Sequence, residues 1–523
     1  MLWHKRVKDA TENPTMTLPA SSAHKLSAGW IAFWFAAVTL LGIWPSLTNR
    51  SPFFYYDTTA YVRGADFAVS KVLGSHFATD WAKDQRRIIQ PQSLVASADP
   101  PALGQKAGRR VVLAGRSIIY GVLLYFGELL GGMWLSVIVQ SFLAVYLVFV
   151  FVVRTLGLEF GYFVVSYGVL LIASPLPFFT SFLMPDVFAG FLVLTFAILA
   201  TSWDRLGILD RSITCIVLLF AVLSHITHLG LLLGLTVSTA GYVLFADRSK
   251  WSQFRRLMAI VATCVAIAAV WEIAFSIGVR RAFGMAPVRP PFLTAKLVSM
   301  LGAPAVSKVC GSSAFAVCRF QGRFPVDCDS FLWSDDERTG IFSVSDVQTK
   351  QLLAAEQIRF ALAIIPQNIG PFIVGVSRDV FRQLTYISLA EYSHEQWQSQ
   401  AAFLRDTVPS QEFERLTATL SARSDCYAVF GRRVLNVTTV IGAAIALLLF
   451  IREGGIRAVQ EPDENRQGRT WRAATGLLFA GILLNAAICG SLSALHDRYE
   501  ARVIWLIQLS AVTGVCSAIT RLQ

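Results

Sequence analysis

The chain carries little charge for its size. Of its 523 residues, 15% are Asp, Glu, Lys or Arg and 54% are hydrophobic, a balance that excludes an ordinary soluble domain or a disordered chain. It has no glycine-rich phosphate loop of the kind that would hold a nucleotide sugar. It shows no internal repeat of the kind common in transporters. It lacks the close Cys-x-x-Cys pair usual in structural zinc sites. No basic motif interleaved with aromatics accompanies the net charge of +12, so that excess reads as cytoplasmic-loop Lys and Arg and as contacts to anionic lipid rather than to nucleic acid.

What is present is a series of long apolar runs. The first, from Gly29 to about Ser46, is long enough at 1.5 Å per residue to cross a hydrocarbon core of about 30 Å. It lacks a small-residue cleavage site close behind a short apolar core, so it reads as a retained anchor rather than a signal peptide. Lys5, Arg6, Lys8 and Lys25 precede it, which by the positive-inside rule keeps the N-terminus in the cytoplasm. Further spans are expected at about 133–153, 160–176, 187–203, 212–225, 228–245, 257–276, 434–451, 471–489 and 503–520. The expected fold is therefore an all-α polytopic membrane bundle of about ten spans. Residues 1–276 form an N-terminal module with a first outer loop at 47–132, residues 277–430 a long outer-face region, and 431–523 the C-terminal helices. Residues 115–132 are apolar but carry Arg116 and Glu128. Counting them as a span would put the short-loop cations Arg248, Lys250, Arg255 and Arg256 outside, so they are expected to lie in the interface as an amphipathic helix.

Cys310, Cys318, Cys328 and Cys426 all fall in the long polar stretch, whereas Cys215, Cys264, Cys489 and Cys516 fall in spans. An even number segregated into one exposed region suggests disulfides in an oxidising compartment, with three pairings open and zinc as the rival reading.

Four groups of ionisable residues at span ends converge on the outer side: Asp57 with Tyr55, Tyr56, Tyr61 and Arg63; Asp186; His225 with His228; and His496 through Glu500 with Arg502. Such groups are expensive near a membrane unless they are paired or used. Asp57, in SPFFYYDTTAYVRGAD, is the candidate general base for transfer of a group onto a hydroxyl or amine; its competing reading is the cap of a helix starting at Thr58. Asp186 is either a second acid or, after Pro185, a helix-start residue. Arg498 and Arg502 sit four apart and could grip one phosphate with Tyr499, or serve as an interfacial anchor. His225 and His228 could share a helical face, as a metal pair or, more in keeping with the missing carboxylate partner, as polar contacts to a phosphate.

These features together resemble the GT-C integral-membrane glycosyltransferases, particularly those using polyprenyl-phosphate sugars, the protein O-mannosyltransferase and aminoarabinose transferase relatives. The resemblance covers residues 29–245: an anchor, an early acid in YYDTTAY, an interfacial helix after Gly-Arg-Ser in GRSIIYGVLLYF, a span ending in VVRTLG, and a return span ending in SPLPFFTSFLMPD. The single acid at Asp57 departs from the adjacent acidic pair of many relatives, and the cysteine-containing stretch matches none of them. The resemblance implies an inverting transfer, at the periplasmic face of a bacterial-type inner membrane, from a polyprenyl-phosphate sugar to an envelope polysaccharide, glycolipid or protein. It implies Asp57 and Asp186 as catalytic acids and matches Arg498-Tyr499 to an Arg-Tyr element before a late span; with Arg502 and Arg116 these are the candidate contacts to a donor phosphate, and Tyr61, Arg63, His225, His228 and His496 the candidate pocket. It requires no metal or other cofactor. A lipid-linked saccharide flippase and a non-catalytic membrane assembly protein are the alternatives.

The topology generates the first prediction. Reporter fusions after Arg154, Arg211 and Arg256 should report cytoplasm and one near Ser330 periplasm; a cytoplasmic signal at Ser330 would overturn this orientation.

Overall fold

The computed structural model describes residues 28–83, 112–245, 248–456 and 466–522; the N-terminal cations Lys5, Arg6, Lys8 and Lys25 fall outside them. Described residues form helices and no strand, with only two isolated β-bridges. The main helices are α1 (Ala28–Leu41), α2 (Tyr56–Leu73), α3 (Ile118–Gly131), α4 (Trp134–Phe149), α5 (Phe160–Ala173), α6 (Val187–Ser202), α7 (Ile208–Ser224), α8 (Ile226–Phe245) and α9 (Trp251–Phe283). They continue with α10 (Phe292–Cys310), α11 (Val347–Gln367), α12 (Ile369–Thr385), α13 (His394–Thr407), α14 (Asn436–Ile456), α15 (Arg466–Leu492) and α16 (Arg498–Thr520). Among the described residues, eight helices are long and apolar enough to cross a membrane, or nine if the bent pair α11 and α12 is one span. The chain is an all-α, multi-pass membrane protein.

Every expected span coincides with a helix. The 115–132 segment is also helical, and its neighbours decide its course. At its start, Ser117 Oγ donates to the Leu223 carbonyl at the end of α7 (2.6 Å). Just after its end, α4 begins, and the Gln140 amide donates to the Thr180 and Phe182 carbonyls (2.9 and 3.0 Å). These carbonyls share one end of the bundle, and α3, about 21 Å long at 1.5 Å per residue, packs antiparallel on α4, with Tyr120 Oη donating to Gln140 Oε1 (3.0 Å) and Ser136 Oγ to Leu123 O (3.1 Å). The opposite end gathers Arg154 with Asp210 (3.6 Å), Arg256 with Asp204 (2.5 Å), and Arg205 on the Thr155 carbonyl (2.7 Å).

The bundle core is built by close helix contacts. A β-carbon on Gly190 of α6 would lie 2.5 Å from Trp505 Nε1 of α16, so only glycine lets these two helices approach as they do. At one end of this core the loops before α2 and α6 pair as backbone: the Phe53 amide donates to Ser181 O and the Leu183 amide to Phe53 O, both at 3.0 Å. Tyr392 wedges beneath, its ring 4.8 Å from Phe53 and 5.3 Å from Phe182.

The long polar stretch divides. Val288, Leu297, Phe331, Phe360 and Ile364 belong to a second core, whereas Leu389, Tyr392, Leu404, Leu416 and Tyr427 belong to the main one. Helix α10 has span length, yet it packs in the second core, kinks at Gly302 and buries Lys296 against Asp379 (3.0 Å).

The expected set of four bridged cysteines is corrected. Cys310 and Cys318 form a disulfide; Cys328 and Cys426 are thiols. Cys328 is enclosed in the second core, while Cys426 lies exposed on the short helix Cys426–Phe430, among residues of the main core. Burial pushes the Cys328 thiol up to about 12, which makes it a poor nucleophile while folded. A thiol reagent should therefore label Cys426 in native membranes and Cys328 only after denaturation, leaving Cys310 and Cys318 protected until reduction. Labelling at Cys310 without a reductant would defeat the bridge.

Candidate functional site

The paired loops bring Asp57 and Asp186 together, and the start of α16 joins them. Tyr55 caps the start of α2, and Asp57 falls in its first turn. The carboxylate is not spent on capping: its Oδ1 accepts from Arg116 Nη2 at 2.5 Å. Instead Thr58 Oγ1 accepts from the Tyr55 amide (3.0 Å) and donates to Leu183 O (3.0 Å), which pins α2 to the second loop. Asp186 likewise makes no side-chain cap at α6. It pairs with Arg502 (3.3 Å), both side chains almost wholly buried. Arg502 also donates to Asn485 Oδ1 (3.0 Å), and Asn485 donates on to Glu500 (2.9 Å). Arg116 on Asp57, Arg502 on Asp186 and the Arg498 guanidinium over the Tyr55 ring, two residues before Asp57, put the two acids and three arginines in one cluster.

The arginines differ in what they face. Arg116 and Arg502 each have a carboxylate partner, so the four-residue phosphate grip expected from the sequence is reduced. Arg498 forms no ion pair among the described residues. It is 7% exposed, and its Nε and Nη1 have no hydrogen-bond partner. Its guanidinium stands 4.2 Å from the Tyr55 ring centre and 5.1 Å from that of Tyr499, which also lies 5.3 Å from Arg502. Stacking on rings holds a cation without consuming its in-plane donors. Glu391 accepts from the Arg498 backbone amide (3.1 Å) rather than from its side chain. Burial raises the Glu391 carboxyl above its ordinary range, with Arg498 pulling the other way.

His225 and His228 sit at the break between α7 and α8 with rings 5.5 Å apart. His228 Nδ1 bonds the Ala221 carbonyl (2.7 Å), while its buried Nε2 has no partner. Ser117, next to Arg116, bonds the Leu223 carbonyl two residues before His225, which places the histidines beside the Arg116 segment. Among the described residues no group of three or more His, Cys, Asp or Glu is arranged to hold a metal.

One expected pocket residue lies elsewhere: Arg63 turns away from Asp57 to the Thr407 carbonyl at the end of α13. His496 packs edge-on against Tyr499, with ring centres 5.1 Å apart, and also contacts Asp329 (3.1 Å). Three residues were not foreseen as members of the site. Tyr55 was noted only as a neighbour of Asp57. Asn485 is a polar residue inside an apolar run, a signal visible in the sequence. Glu391 lies in a polar stretch that offered none.

The chain matches no protein-family model, no curated protein and no solved structure.

Because Asp186 and Arg502 are buried together, removing one partner strands the other. Arg502→Met should cost about 3–5 kcal/mol in unfolding experiments, and adding Asp186→Asn should recover part of it. Equal melting of Arg502→Met and the unmodified protein in detergent would show that this pair does not hold the site.

Proposed function

We propose that this protein is a GT-C-type, inverting membrane glycosyltransferase that moves a sugar from a polyprenyl-phosphate donor to a hydroxyl- or amine-bearing acceptor at the periplasmic face of a bacterial-type inner membrane. The observation that carries the reading is the buried guanidinium of Arg498, with two unpartnered nitrogens, in one cluster with Asp57. Buried donors normally find acceptors, and a phosphate oxyanion would satisfy them by charge-assisted bonds.

In the proposed reaction the acceptor oxygen or nitrogen attacks the anomeric carbon of the donor from the face opposite the phosphate. The bond between that carbon and the phosphate oxygen breaks as the new glycosidic bond forms. Asp57 takes the proton from the acceptor, and the departing polyprenyl phosphate keeps the electron pair, its charge met by Arg498. Arg116 positions the Asp57 carboxylate through Oδ1. Asp186 anchors Arg502 beneath the phosphate contact rather than acting as a second reacting acid. The lipid tail lies among the apolar helices, where its binding energy can fix a reacting centre that contributes little binding of its own. Envelope polysaccharide, glycolipid and protein all present suitable acceptors.

Turnover of a labelled polyprenyl-phosphate sugar tests this. Asp57→Asn should lose roughly 10²-fold or more in rate with unchanged folded yield, since Arg116 is partly open to water and tolerates losing its partner. Arg498→Ala should mainly raise KM for the donor. Near-normal turnover by folded Asp57→Asn would remove the base assignment, and vectorial movement of the lipid without covalent transfer would favour a flippase.

A further inference from the structure

Helix α12 is built inside out. At 100° per residue its buried side carries Gly375, Asp379 and Gln383, while Ile373, Val374 and Phe381 lie on the exposed side. Val374 is 68% and Phe381 69% exposed, and across the 110° bend Leu362 of α11 is 71% exposed. A helix that hides an aspartate and presents aliphatic side chains has the reverse of the pattern water selects. We infer that the α11–α12 hairpin is a wedge seated in the membrane leaflet on the side of the Asp57–Arg498 site, with Arg378 and Arg382 engaging anionic lipid headgroups.

Its contacts set its depth. A β-carbon on Gly490 would lie 3.0 Å from Asp379 O and Val380 Cα, so α12 crosses backbone to backbone over α15 close to the end of that span-length helix at Leu492. Both ends of the hairpin stay on one side of the bundle. Helix α11 starts from the second core with Asp346 capping Thr349 (2.9 Å), and α12 ends where the Gln383 amide donates to His496 O (2.8 Å). The pair therefore enters and leaves at the same face instead of crossing. The buried side is held by the Lys296–Asp379 ion pair at 3.0 Å, which leaves the apolar side facing outward beside the last turn of α15, where Leu492 is itself exposed. Arg378, whose Nε pairs with Asp379 (3.0 Å) while its side chain stays 58% exposed, and Arg382, which donates to Tyr386 Oη (3.0 Å), occupy one edge of that face, as cations do at the boundary between acyl chains and phosphates. Lipid covers this face because it is continuous with the bilayer-facing surface of a crossing helix and because cations fringe its edge.

The test uses the full chain in lipid nanodiscs, in a Cys426→Ser background, with a nitroxide attached through Ile373→Cys. Relaxation by molecular oxygen should exceed relaxation by a water-soluble nickel chelate, and a label at Arg338→Cys in the second-core loop should show the opposite. Adding anionic lipid should drive the residue-373 label deeper, and Arg378→Ala with Arg382→Ala should abolish that increment. Access of nickel to position 373 would overturn the wedge, as would exclusion of both relaxants by a protein partner. A depth indifferent to anionic lipid would overturn the headgroup contact. The readout is independent of transferase activity.

Discussion

A guanidinium buried among apolar helices is costly unless something offsets its charge, and Arg502 finds a countercharge in Asp186. The pair joins the start of α6 to the first turns of α16, two helices separated by some three hundred residues of chain but brought backbone-close by Gly190 against Trp505. Asn485 extends the link to α15. Once α6 is fixed there, the loop before it is fixed as well, and that loop holds Phe53 and Thr58 by backbone and hydroxyl bonds. The position of Asp57 follows from this chain of contacts rather than from its own helix.

The site then depends on an inequality among its arginines. Arg502 is neutralised by Asp186 and Arg116 by Asp57, and each pair gives up part of its capacity to attract another anion. Arg498 is held by aromatic faces and keeps its in-plane donors. An unsatisfied buried donor is costly in a resting protein, and its presence beside two acids is the physical basis for reading the cluster as an anion-binding reaction centre. The buried Arg502 Nε and His228 Nε2 are also without a partner.

Hydrophobic periodicity made the architecture legible: the spans expected from apolar runs are helices, and 115–132 holds a helix shorter than the span-length ones. The same signals misled at Cys328 and Cys426, because counting cysteines in a polar stretch cannot reveal that the stretch divides between two cores. Arg63 was grouped with the site by its nearness in sequence to Asp57. It instead points from its own backbone toward the end of α13. Glu391 was missed for the complementary reason, since it reaches Arg498 across 107 positions of sequence.

By itself the sequence determined that this chain is a helical, multi-pass membrane protein, since long apolar runs of low charge have no other stable arrangement in lipid. It also marked Asp57, Asp186, Arg498 and Arg502 as the groups whose burial must be compensated. Only the tertiary structure decided which arginine is paired and which is left open, that Asp57 faces Arg116 rather than its own helix start, and that α12 turns its apolar side outward. Those outcomes depend on which distant backbones meet, and a local pattern of side chains carries no information about the partner it will find.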